Sequence, residues 1–181
     1  MSDMRKLTLP FLILLLCFFN TAFQTKSSLK FTVPPGWIEE ERTSAMRVAQ
    51  YKLTRAEGDT ENGSVVLYYF GPGQGGSTAA NIERWVGQMK QADGGPSKTV
   101  AKEESFDVNG LKVTTVDVAG TYVAETTPGS GTFENKPAYR LLAAVVETPN
   151  GPYFLKLVGP EKTVAHWNES FLSFLKSFDF K

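Results

Sequence analysis

Two stretches of the chain are apolar on both of their alternating faces: Ser64 to Phe70 (SVVLYYF) and Ala138 to Glu147 (AYRLLAAVVE). An extended strand turns successive side chains to opposite sides, so a strand with one wet face alternates apolar and polar residues. These two runs do not, and they are expected at the centre of a sheet covered above and below. The covers are present in the same sequence. Ile82, Trp85, Val86 and Met89 fall at i, i+3, i+4 and i+7, the stripe of a helix opened by Ser77 or Thr78 and ended by Gly94-Gly95-Pro96. Val164, Trp167, Phe171, Phe174, Leu175 and Phe178 make a wider stripe on a second helix opened by Pro160. The expected class is α+β: a mostly antiparallel sheet of six to seven strands flanked by two amphipathic helices, an α/β/α sandwich.

The remaining strands follow from local patterning. Leu29 to Val33 is stopped by Pro34-Pro35-Gly36, and Met46 to Leu53 precedes a charged, glycine-containing loop from Arg55 to Gly63. Lys98 to Val108 and Leu111 to Val123 flank Asn109-Gly110, a strong hairpin signal. Ala138 to Glu147 turns through Pro149-Asn150-Gly151 into Pro152 to Val158. Between the two hairpins, Ala124 to Pro137 is a long polar loop of the kind that is often functional. Trp37 is expected to pack back on the core. No internal repeat and no second domain is evident.

The N-terminus reads as an export signal. Arg5 and Lys6 precede an apolar run from Phe11 to Phe19, shorter than the roughly 20 residues of a membrane span. Cleavage after Ala22 is expected, leaving a short tether (23–28) and a single domain (29–181). The alternative is an uncleaved anchor, which would be the chain's only membrane attachment. Cys17, the single cysteine, lies inside the apolar run and is preceded by Leu16, unlike a lipidation site. Downstream of it the chain has neither disulfide nor thiol chemistry. Loss of residues 1–22 removes Asp3, Arg5 and Lys6 and leaves one net negative charge. That balance, with no basic cluster in the sequence, argues against nucleic acid and against an anionic membrane surface.

Candidate sites are few. Gly71-Pro72-Gly73-Gln74-Gly75-Gly76 satisfies GxGxxG between a strand and a helix. Such a loop can present N–H groups to phosphate, but here it follows the third strand and leads toward a hairpin. Read as a Walker loop, it has Ser77 in place of the lysine. It is expected to be a plain connection, with a weak anion site as the minor reading. His166, the only histidine, is expected on the exposed face of the last helix, so no two-histidine metal site is available. The run Glu39-Glu40-Glu41 reads as a solvated face. Asp117 shares a strand face with Val113 and Thr115, and is either buried and functional or at an edge. The segment Glu57 to Gly63 is acidic but lacks EF-hand spacing. Neither a metal nor a cofactor is expected. Phe133 stands alone in the long polar loop, as a lid or a partner contact would. Gly73, Gly75, Gly76, Ser77 and Phe133 are the residues expected to bind a ligand or partner.

Phe31 to Trp37 (FTVPPGW), Tyr139 in a strand, the turn Thr148 to Gly151 (TPNG), Tyr153 in the return strand, and Trp167 in a helix ending Ser177-Phe178 together resemble the PsbP/DcrB-like superfamily. The resemblance implies a central antiparallel sheet flanked by helices, and is nearest to exported bacterial members. Its motifs are turns, core aromatics and helix ends, and no functional position of the family is matched. Fold alone does not imply function. The expectation is a non-enzymatic binding or accessory protein whose partner is another envelope protein. The alternatives are a carboxylate-dependent hydrolase, marked by two acids converging in a pocket, and a carrier of a small apolar ligand, marked by a cavity between sheet and helix.

Overall fold

The computed structural model describes residues 28–126 and 129–181. The expected signal segment and residues 23–27 of the tether lie outside the described residues. The elements in chain order are β1 (Leu29–Lys30), β2 (Trp37–Glu39), β3 (Arg47–Leu53), β4 (Gly63–Tyr69), α1 (Thr78–Gly87), β5 (Met89–Lys90), a 3-10 turn (Ser97–Thr99), β6 (Lys102–Val108), β7 (Leu111–Tyr122), β8 (Lys136–Val146), β9 (Tyr153–Pro160), α2 (Glu161–Lys176) and β10 (Asp179–Phe180). The main sheet runs β2-β3-β4-β9-β8-β7, and both β5 and β6 pair with the outer edge of β7. Every pairing is antiparallel.

The runs that are apolar on both faces do form central strands. On β8, Leu141, Ala143 and Val145 point to one side and join Ile82, Trp85 and Val86 of α1. Leu142, Ala144 and Val146 point to the other side and meet Val164, Phe171, Phe174 and Leu175 of α2. The two helices therefore cover opposite faces of an α/β/α sandwich. Aromatic contacts tie α2 down: Trp37 lies 4.9 Å from Phe174, ring to ring, and its Nε1 donates to Ser170 Oγ at 3.0 Å. The α1 cover is smaller. It lies over β7, β8 and, through Trp85 on Phe154, part of β9, and leaves the same side of β3 and β4 without a helix.

Every strand expected from sequence is present, and three short ones are added. β1 leaves the main sheet and pairs with β10, the tail behind α2. Residue Asn109 (φ 49°) and Gly110 (φ 79°) make the hairpin turn as expected. The first helix ends earlier than its stripe suggested. Gln88 caps it, its N–H bonding the carbonyls of Trp85 and Val86, and Met89 leaves it to pair with Tyr122. Met89 is still buried, now as a strand residue, so the apolar spacing was right about burial and wrong about helix length. β6 likewise begins at Lys102, because Ser97–Thr99 is taken up in the 3-10 turn.

Candidate functional site

A large cavity follows from that early helix end. Residues 91–101 leave β5, turn outward through Gly94-Gly95-Pro96, and return as β6, so a groove of about 730 Å³ opens between α1 and the β6–β7 edge. Its floor is apolar: Ile82, Val86 and Met89 meet Val116 of β7. Glu83 and Glu103 stand on its rim with Lys90 and Lys98, so the rim charges balance. All four are solvent-exposed. The outer wall is braced by buried polar contacts. Ser97 Oγ donates to the Met89 carbonyl at 2.8 Å, and Gln91 Nε2 donates to Ser97 Oγ at 3.0 Å and to the Ala119 carbonyl at 2.9 Å. A groove of several hundred Å³ with an apolar floor and few polar groups has the form of a ligand site.

A smaller pocket of about 240 Å³ lies on the α2 side. Asp117 faces it and is neither buried alone nor at an edge. It accepts two bonds from Arg140, at 2.8 Å from Nε and 2.7 Å from an Nη. The hydrogen bonds to Asp117, outweighing burial, push the Arg140 pKa up.

The glycine-rich loop is a packed connection. Gly75 (φ +89°) lies so close to the Phe154 ring that a Cβ there would stand 2.5 Å from it. Asn81 Nδ2 donates to the carbonyls of Gly75 and Ser77 at 2.8 and 2.9 Å, and Ser77 Oγ caps α1 by accepting from Ala80 N–H at 3.2 Å. Thr78 Oγ1 donates to Glu147 Oε1 at 3.0 Å, which sets a carboxylate where a bound anion would stand. Gly73 is exposed and Gly76 sits beside Asn81. Phe133 is 62% exposed and pairs by a single bridge with Glu125. The structure does not bring it to the glycine loop. The loop follows Tyr69, near the Val146–Tyr153 end of the β8–β9 hairpin, while Phe133 precedes Lys136 at the opposite end.

Other polar residues take ordinary positions. His166 is exposed, edge-on to Trp167. In the acidic loop, Asp59 bonds the start of α2 and Glu61 pairs with Lys136. Among the described residues no three His, Cys, Asp or Glu side chains gather as a metal-binding set.

Two groups of residues were missed by sequence reasoning. One is the outer wall of the groove, read there as part of a helix and a strand. The other surrounds Lys156, whose Nζ donates to Gln88 Oε1 at 2.6 Å and to the Tyr122 hydroxyl at 3.0 Å. Burial, then the Arg84 charge, pull its pKa down to about 8 against the opposite pull of Glu134. Burial, then Glu134 and Tyr68, push Tyr122 up to about 12. A signal existed: Lys156 alternates with Phe154 in the otherwise apolar run YFLKLV, which turns a lysine toward the α1 side of the sheet.

No protein-family model matches the chain, and the search of curated proteins returned no match. Among solved structures the chain is similar to that of LpqN, involved in cell envelope biogenesis of Mycobacterium tuberculosis, with 9% identity and a TM-score of 0.49 over 89% of this chain and 87% of that one. It is also similar to the solution structure of the cyanobacterial PsbP (CyanoP) from Synechocystis sp. PCC 6803, with 16% identity and a TM-score of 0.48 over 84% of this chain and 86% of that one. Among the described residues no helix is long and apolar enough to cross a membrane.

Proposed function

We propose that the protein is an exported, non-enzymatic binding protein of the cell envelope whose α1–β6 groove takes an elongated apolar ligand. The groove itself carries this reading: Ile82, Val86, Met89 and Val116, all nearly covered, form an apolar floor beneath a charge-balanced rim. The hydrolase alternative would use Glu83 and Glu103, but both stand in solvent at the rim, away from the water-poor floor where a catalytic acid is made. Phe133, at the far end of the sheet from the glycine loop, is a separate contact for an envelope partner.

The test is fluorescence of the neutral apolar probe diphenylhexatriene with the full chain, beside Ala101→Trp, which fills the groove from its wall. Enhancement with the native protein that falls in Ala101→Trp supports the reading. Failure of the native protein to enhance the probe overturns it, as does enhancement that the substitution leaves unchanged. Export is tested by N-terminal sequencing of the envelope fraction, with Phe23 expected as the first residue.

A further inference from the structure

The side of the sheet that α1 leaves open carries cations that the sequence scatters. Alternation along β3 and β4 turns Tyr51, Leu53, Val65 and Leu67 into the α2 core. Their neighbours Gln50, Lys52, Val66 and Tyr68 face the other way. The register sets Arg47 opposite Tyr68, Lys52 opposite Ser64, and Val66 opposite Lys156 of β9. Arg84, on the edge of α1, stands close enough to Lys156 to depress its pKa. Among the described residues none of Arg47, Lys52, Arg84 and Lys156 has a carboxylate within 4.0 Å. The nearby acids are Glu40, which accepts from Gln50 Nε2 at 3.2 Å, and Glu134. In a chain of zero formal charge, this strip is a local excess of positive charge.

Two of the cations are held in place before any ligand arrives. Arg47 lies 5.6 Å over the Tyr68 ring and donates to Gln50 Oε1 at 2.5 Å. Lys156 lies 5.0 Å over the Tyr122 ring and is fixed by Gln88 and the Tyr122 hydroxyl. Preorganised side chains lose little freedom on binding. The arrangement also selects the kind of anion. Tyr68 and Tyr122 are engaged by cations and lie beside the parallel rings of Phe70 and Tyr139, so they offer no open stacking platform for nucleobases or sugars. A flat anionic membrane meets the outside of α1, a cylinder about 10 Å across, before it reaches Lys156 beneath. An extended chain can lie in the strip. Arg47 offers a planar fork to a carboxylate, and Gln88 offers its Nε2 to a backbone carbonyl.

We propose that this strip is the docking site for an acidic peptide segment of a partner protein, its carboxylates taken by Arg47, Lys52, Arg84 and Lys156. This surface is separate from the apolar groove and does not depend on what the groove binds.

The test is fluorescence anisotropy of a labelled oligoglutamate peptide titrated with the full chain. The double variant Lys52→Glu/Arg84→Glu reverses two outer charges and leaves the Arg47 and Lys156 networks intact. Lys112→Glu/Lys176→Glu makes the same charge change at exposed positions elsewhere. Saturable binding, weakened about tenfold or more by the first variant and within about twofold of native in the second, is expected. No binding by the native chain overturns the proposal, and so does an equal loss in both variants. Binding of phosphatidylglycerol vesicles or polygalacturonate in place of the peptide, with the same dependence on Lys52 and Arg84, overturns the choice of a protein partner. Circular dichroism melts establish that each variant is folded, and Lys52→Gln with Arg84→Gln replaces the first variant if it is not.

Discussion

Asp59, in the loop between β3 and β4, takes both the backbone N–H and the hydroxyl of Thr163 on one carboxylate oxygen, at 2.8 and 2.6 Å. α2 begins after Pro160, which caps nothing with its side chain. A residue more than a hundred positions away thus supplies the cap, and its negative charge sits at the positive end of the helix. Thr163 Oγ1 in turn accepts from the Ala56 N–H at 3.0 Å, which ties the loop down. Asp59→Ala should lower stability by about 1–2 kcal/mol in chemical denaturation. Asp59→Asn, which keeps an acceptor, should lose less. Equal losses in the two variants would mean that charge alone, without the cap geometry, holds the helix start.

The glycine loop makes a second prediction. Gly75 and Gly73 both have positive φ, at +89° and +68°, but a Cβ at Gly75 meets the Phe154 ring while one at Gly73 meets nothing within 4 Å. Gly73→Ala should cost about 1 kcal/mol, from backbone strain alone. Gly75→Ala should cost about 1–3 kcal/mol more, because the ring must move. Equal thermal shifts in the two variants would remove the close approach from the account of this loop.

Lys156 gives the stability a pH signature. Its folded pKa of about 8 lies below the ordinary 10.5, so between those values the unfolded chain holds more protons than the folded one. Stability must then rise with pH as the cost of burying the ammonium is relieved. Tyr122 acts in the opposite sense, with a folded pKa of about 12 against 10.0, and stability it contributes is lost above pH 10. The rise is therefore confined to pH 8–10 and should amount to something on the order of 1–2 kcal/mol. Lys156→Met should flatten it in denaturation curves taken at pH 7, 8, 9 and 10. A rise that persists in the variant would assign it to another group.

Phe133 and Phe154 separate surface from core. Phe133 is 62% exposed and Phe154 is 2% exposed, packed beneath Trp85. Phe133→Ser should change stability by less than about 0.5 kcal/mol. Phe154→Ala should cost about 3–5 kcal/mol. A large loss from Phe133→Ser, measured by thermal melting, would show that the long loop folds onto the body of the protein.

Local pattern was enough to place most of the frame. The Asn109-Gly110 hairpin, the caps before α1 and the two-faced runs of β4 and β8 each depend on residues within a few positions of one another, so they were legible in the sequence. Those runs also required a cover on each side of the sheet. Three short strands were not legible, because two or three residues carry no periodicity and form only where a partner is already in place: β5 against β7, β10 against β1, and β2 against β3.

The candidate sites belong almost wholly to tertiary structure. Nothing local says that the chain leaves α1 at Gly87, yet that departure opens the apolar groove. Nothing local says that Arg47, Lys52, Arg84 and Lys156 share one surface, since they come from three elements and no two are adjacent in sequence. Asp59 read as part of an acidic loop until the fold set it against Thr163. The sequence by itself determined the long strands, the two helices and that the sheet is buried on both sides, because apolar periodicity acts over a few residues. Only the tertiary structure decided where charge collects and where an apolar groove forms, because both depend on the register and packing of segments far apart in the chain.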